Sequence, residues 1–126
     1  MNNRLAFIGG SGLYDLNFLK NIKYLDISSS MGEPSEKIIE GSLGDNKIFF
    51  LPRHGKEHRL SPSAINYRAN IDSLKKCGVT DIISLSAVGS LKENLSPGTF
   101  VIVDQFIDRT VNRIKSFFNI NLSGFV

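Results

Sequence analysis

Cysteine is almost absent from this chain. Cys77 stands alone, so no intramolecular disulfide can form. Lys75 and Lys76 beside it make a reactive thiol conceivable, but a lone cysteine is better read as a small, partly buried side chain in a reducing compartment. Long apolar runs are missing too. Residues 5–8 are too few for a signal-peptide core, and no stretch is long enough to span a membrane, so a cytoplasmic protein without a membrane partner is expected. The formal net charge is only +3, and no block of Lys and Arg stands out, so nucleic-acid binding has no electrostatic footprint. Neither internal repeats nor low-complexity stretches are visible. What is present, 126 residues with 41% hydrophobic and 21% charged, suits a single globular domain.

The chain alternates between short apolar runs and loops. Arg4-Leu5-Ala6-Phe7-Ile8 reads as a buried strand, stopped by Gly9-Gly10-Ser11-Gly12. Residues 15–20 suggest a helical turn, and residues 22–27 are extended in character. A hairpin follows: residues 37–43 and 47–51 flank Gly44-Asp45-Asn46, a connection rich in turn formers. Its second arm is continuously apolar, as expected of a strand covered on both faces.

Residues 52–63 form a polar loop before the clearest helix. Ser61 or Ser63 is the expected N-cap, and Ala64, Tyr67, Ile71 and Leu74 recur at spacings of three and four on one expected face. Gly78 supplies the stop. Residues 80–85 then predict a second buried strand, and Phe100-Val101-Ile102-Val103-Asp104, after the Pro97-Gly98 turn, a third. Strand, helix and strand with short links argue for an α/β fold around a largely covered sheet.

Three of the loops follow apolar strands, where ligands gather in open α/β sheets. Gly9-Gly10-Ser11-Gly12 lets backbone N–H groups and the Ser11 hydroxyl approach an anion. It lacks the third glycine of a dinucleotide fingerprint, and no Gly-Lys-Ser/Thr marks a P-loop. Arg53-His54-Gly55 sets a guanidinium that can clasp two phosphate oxygens beside an imidazole that can donate or carry a proton. Ser86-Ala87-Val88-Gly89-Ser90 adds hydroxyls and small side chains. Alone, the first and third loops are as readily plain turns, and the Arg53-His54 pair is better explained as a solvated arginine beside a structural histidine. Together, with no acidic residue within the three motifs, they point to a site for phosphate or a phosphorylated ligand.

The order and wording of these loops resemble the methylthioadenosine phosphorylases, within the purine nucleoside phosphorylase family. The matching segments are Ile8-Gly9-Gly10-Ser11-Gly12-Leu13, Pro52-Arg53-His54-Gly55-Lys56-Glu57-His58, residues 62–71, Ser86-Ala87-Val88-Gly89-Ser90-Leu91, and Pro97-Gly98 with residues 104–110. The resemblance implies an incomplete nucleoside phosphorylase-type α/β fold, a central mixed β-sheet flanked by helices. It places Ser11, Arg53, His54, Ser86 and Ala87 on phosphate-binding positions, Ala87 through its backbone, with His58 and Asn66 supporting the phosphate loop. Tyr67 and Ile71 are expected to pack the helix, and Asp104 and Asp108 to be structural or subunit-contact residues.

The implied reaction is phosphorolysis of 5′-methylthioadenosine to adenine and 5-methylthioribose 1-phosphate. Inorganic phosphate is the co-substrate, no cofactor or metal is required, and the family assembles as homo-oligomers, trimers being expected. Purine nucleoside or methylthioinosine phosphorolysis is the alternative within the family. Outside it stand a non-catalytic phosphate- or nucleotide-binding module and a subunit that requires a partner. Agreement runs through residues 1–118, read as the N-terminal part of a phosphorylase domain, and lapses in residues 119–126, a divergent tail at an apparent truncation. The resemblance puts the aspartate that protonates the base beyond these residues, so the chain alone is expected to be inactive.

Overall fold

The computed structural model describes residues 4–10 and 15–118. Five strands, β1 (Leu5–Gly9), β2 (Lys20–Leu25), β3 (Ile38–Leu43), β4 (Asn46–Pro52) and β5 (Asp81–Ser84), form one mixed sheet in the order β2-β3-β4-β1-β5. β1 lies between β4 and β5 and runs parallel to both, while β3 pairs antiparallel with β2 and β4. A single α-helix is found among the described residues, α1 (Tyr67–Lys76), and a 3₁₀ turn spans Lys56–His58.

Alternation along the strands decides which side chains meet. Ala6 pairs with Phe49 and Ile8 with Leu51, so these four share the face that Leu74 of α1 covers. Ile38 completes this core, and Leu25, Ile27, Cys77 and Val79 pack at its margin. On the opposite face Ile48 and Phe50 are also buried, and Leu19 lies against Gly41, where a Cβ would approach its side chain to 3.0 Å. β4 is thus covered on both faces, as its uninterrupted apolar run predicts. The hairpin also forms, closed by the Leu43–Asn46 pair around Gly44 and Asp45. Residues 15–20 hold only a turn, marked by Leu19 N–H donating to Leu16 O at 2.9 Å.

The helix ends where glycine allows it. Gly78, at φ 77°, donates to Lys75 O at 2.8 Å, and Val79 donates to Leu74 O at 3.2 Å. These crossed bonds are a Schellman motif, which satisfies carbonyls that the helix leaves open.

Its start and its buried face differ from expectation. The N-cap is Asn66, whose side chain accepts from Ala69 N–H at 3.1 Å, rather than Ser61 or Ser63, which precede the helix in a separate turn. The buried residues of α1 are Ala69, Asn70, Ser73 and Leu74. Of the expected stripe only Leu74 is buried; Ala64, Tyr67 and Ile71 are exposed. Polar partners explain the rotation. Asn70 accepts from Ser35 N–H at 2.7 Å and donates to Ser35 Oγ at 2.9 Å, and Ser73 Oγ donates to Ile27 O at 3.4 Å. Buried amides and hydroxyls so satisfied carry no desolvation penalty that would turn them outward.

Two further expectations are corrected. β5 forms, but as an edge strand exposed along its whole length rather than a buried one. Residues 100–104 form no strand, and Phe100 and Ile102 are 91% and 99% exposed. A strand needs a neighbour for its ladder and a layer for its apolar face, and residues 86–118 find neither. Cys77 is half-buried, and burial, with Glu40 nearby, holds its thiol above the ordinary value, which favours the inert reading. No helix among the described residues is long and apolar enough to cross a membrane. Residues 119–126 lie outside the described part, so the expected tail has no structural counterpart to report.

Candidate functional site

Three parallel strands fix the geometry of the site. Because β4, β1 and β5 lie side by side and point the same way, the loops after Pro52, Gly9 and Ser84 leave the sheet at one end. Backbone bonds lock them together: Arg53 N–H donates to Gly9 O at 2.8 Å, and Leu85 N–H to Ile8 O at 2.9 Å.

Arg53 spans all three loops. Nη1 donates to Ser86 Oγ at 2.8 Å and to Leu85 O at 3.3 Å, and Nε donates to His54 Nε2 at 3.4 Å. Nη2 faces Gly10, where an added Cβ would sit 3.5 Å from it. Among the described residues no carboxylate pairs with this guanidinium. Its charge is therefore held in place by neutral acceptors, which leaves it available to an anion.

His54 is buried and held in one tautomer. Nδ1 lies 2.9 Å from Leu60 O, and a carbonyl only accepts, so Nδ1 carries the hydrogen. Nε2 then keeps its lone pair toward Arg53. In this arrangement the imidazole accepts from Arg53 and orients it, a task different from direct donation to an anion. His58 stacks on it with ring centroids 4.1 Å apart and planes 12° from parallel.

The backbone beneath the pair is strained. Gly55 has φ 72° and ψ 177°, a region essentially closed to other residues, and a Cβ there would meet Ser35 O at 2.9 Å. Glu57 and His58 follow at φ 55° and 58°, left-handed for residues that carry a Cβ, each costing about 1–2 kcal/mol. Surrounding bonds hold this shape. Glu36 accepts from Lys56 N–H at 3.0 Å, Arg59 donates to Ser35 O at 2.6 Å, and Leu60 N–H donates to His54 O at 2.9 Å. The bond from Lys56, chiefly, keeps the Glu36 carboxyl below its ordinary value despite partial burial. Strain that the surroundings enforce at a loop tip is typical of a ligand-binding position.

Beside this cluster a cleft of about 440 Å³ opens between α1 and the sheet, with Arg53, His54, Tyr67, Ile71, Ile82 and Arg113 among its lining residues. The structure thus brings together Arg53, His54, His58 and Ser86. Ala87 follows Ser86 on the same exposed loop, and Ser11 falls outside the described residues. Asn66 caps α1 and donates to Met31 O at 2.8 Å, which binds the helix start to a preceding loop. Tyr67 and Ile71, expected as plain packing, line the cleft, and Arg113 joins them without having been singled out. In the sequence it lies within the agreement that runs to residue 118, which attaches no role to it. Among the described residues, no three His, Cys, Asp or Glu side chains gather as a metal site.

Comparison with known proteins bears on this arrangement. A family described as the Phosphorylase superfamily matches residues 4–125. An S-methyl-5′-thioadenosine phosphorylase of Rhodospirillum rubrum is 55% identical over 122 residues, covering 97% of this chain and 42% of the relative. The protein of the same name from Bradyrhizobium diazoefficiens is 60% identical over 114 residues, covering 90% and 39%. Among solved structures, a methylthioadenosine phosphorylase from Schistosoma mansoni in complex with adenine superposes with a TM-score of 0.87 at 40% identity. It covers 98% of this chain and 45% of that one. The chain therefore spans about two fifths of the length of the curated relatives it matches.

Proposed function

Because the chain belongs to the phosphorylase superfamily, we propose that it is the phosphate-binding part of an enzyme that cleaves 5′-methylthioadenosine by phosphorolysis. The products are adenine and 5-methylthioribose 1-phosphate. The observation that carries this reading is the clamp of Arg53 onto Ser86 at 2.8 Å across the ends of parallel strands, by a cation that no carboxylate pairs with among the described residues. The superposed relative that holds adenine favours adenine as the base.

In this reading phosphate sits where the loops after β1, β4 and β5 converge, held by Ser11, Arg53, Ser86 and the Ala87 backbone, with His54 fixing the guanidinium. Binding does two things for the reaction. It holds the nucleophile against the ribosyl C1′, which converts a bimolecular encounter into a unimolecular step. It also places the negative charge where the oxocarbenium-like transition state develops its positive one. Electrons flow from a phosphate oxygen to C1′, and the C1′–N9 bond breaks toward the purine, which needs a proton as it leaves. By the family resemblance, that proton comes from residues of the family protein beyond this stretch. Small molecules are the only substrates proposed, with no metal or organic cofactor, and the setting proposed is a cytoplasmic homo-oligomer.

The test is adenine release from 5′-methylthioadenosine with and without inorganic phosphate, paired with phosphate titration of the 126-residue chain. The expected result is saturable phosphate binding that Arg53→Ala weakens at least tenfold, with adenine release near background. This rests on a charged hydrogen bond being worth about 1.5–3 kcal/mol. Phosphate binding unchanged in Arg53→Ala would remove the basis of the reading.

A further inference from the structure

The cleft beside Arg53 holds a second guanidinium, that of Arg113. Asp108 and Lys115 line an adjoining pocket with it, but among the described residues no carboxylate forms an ion pair with Arg113. Arg113 lies over the Tyr67 ring, with Cζ 5.5 Å from the centroid, and Nη1 donates to Tyr67 Oη at 3.4 Å. Tyr67 in turn donates its hydroxyl hydrogen to Pro62 O at 3.2 Å, which leaves the phenol oxygen free to accept from Arg113. A ring face and a hydroxyl position a cation without neutralising it.

The nearest acid on its own segment is committed elsewhere. Asp108 pairs with Lys115 Nζ at 2.8 Å and accepts from Thr110 N–H and Oγ at 2.9 and 2.6 Å, and these bonds keep its carboxyl well below the usual range. Among the described residues no carboxylate pairs with Arg113 or lines the cleft. Two arginines, one on the strand-end loop and one on the segment that folds back to α1, thus share one cavity with no counter-charge.

We propose that Arg113 is a second anion-recognition residue of this cleft, acting with Arg53 on a phosphate or phosphate ester and held at its post by Tyr67. The proposal rests on the reading of the Arg53 cluster as a phosphate site and adds a residue that reading does not use. A ligand carrying its phosphate at Arg53 meets the apolar wall of Ile71 and Ile82 and the Arg113 charge within the same volume.

The experiment is a titration of the full chain with inorganic phosphate, read by calorimetry and by the arginine Nε–Hε resonances in NMR. Arg113→Gln is expected to weaken binding about fivefold to tenfold, as loss of one charged hydrogen bond would, while Arg113→Lys keeps most of it. The Arg113 resonance of the unsubstituted chain is expected to shift with added phosphate, a readout that needs no variant to fold. Wild-type affinity in Arg113→Gln, or a stationary Arg113 resonance, alongside a loss in Arg53→Ala overturns this inference and leaves the Arg53 site standing. Absence of phosphate binding by the unsubstituted chain overturns both.

Discussion

Residues 4–84 and residues 86–118 are both rich in apolar side chains, yet they behave differently. In the first region Phe49 and Leu51 are 1% and 0% exposed, and side-chain bonds tie residues 35 to 76 positions apart, as between Ser35 and Asn70 or Arg4 and Thr80. In the second, Leu91 and Ile102 are 103% and 99% exposed, and most side-chain bonds reach only a neighbour, as from Lys92 N–H to Ser90 Oγ or from Thr110 N–H to Asp108. The second region returns to the first through a few polar handholds: Arg53 to Ser86, Arg68 to Ser116 and Arg113 to Tyr67. Apolar composition therefore does not make a core. A core requires a partner layer, and the sheet supplies one to β4 but none beyond β5.

The comparison is broken most directly with two phenylalanines. Phe49→Ala removes a fully buried ring between β1, β3 and α1 and should cost about 3–5 kcal/mol in urea unfolding. Phe100→Ala changes a ring that is 91% exposed and should leave the midpoint where it was. Equal losses at the two positions would mean that residues 86–118 are packed in solution, and the division would fall.

A smaller effect sharpens the contrast from the side of the site. Gly55→Ala forces a Cβ into a backbone region that tolerates only glycine and to within 2.9 Å of Ser35 O. The expected loss is about 2–3 kcal/mol of stability, accompanied by displacement of His54 and weaker phosphate binding. Gly98, also left-handed at φ 89° but with open space around it, is the control, and alanine there should cost about 1 kcal/mol. If both substitutions cost the same, the strain at Gly55 is local and does not support the site.

How much of this was legible in the sequence follows from the range of the forces involved. β1, the hairpin and the Gly78 stop were readable because each is set by neighbours in the chain: an apolar run, a turn, a left-handed glycine. The approach of Arg53 to Ser86 was indicated only because both follow strands, and the wording of the loops carried the rest. Asn70 and Ser73 were not recognisable as buried, since the groups that satisfy them, Ser35 and Ile27, are 35 and 46 residues away. The strand expected at residues 100–104 failed for the complementary reason. Its residues have the right propensity, but a strand is a pairing, and among the described residues no strand pairs with them. The cleft face of Tyr67 and the place of Arg113 also depend on contacts between distant segments.

The smallest prediction concerns Glu36, which joins the loop of Ser35 to the backbone of Lys56. Its folded carboxyl titrates below the ordinary value of 4.5, first because of the Lys56 bond, then the Lys37 backbone and the Arg59 and Lys37 charges, against partial burial. A depressed carboxylate contributes stability that is present above its unfolded value and is lost as pH falls through the folded one. The chain should therefore lose stability below about pH 4.5 in part through this group, and Glu36→Gln should flatten that slope while lowering stability slightly near pH 7. Urea unfolding of both proteins across this range checks it. The same bond holds the strained turn after Gly55, so the stacked resonances of His54 and His58 should move together with the Glu36 titration. If they stay fixed while Glu36 titrates, the turn is held by Arg59 and Leu60 alone, and the buried region does not reach the site through this carboxylate.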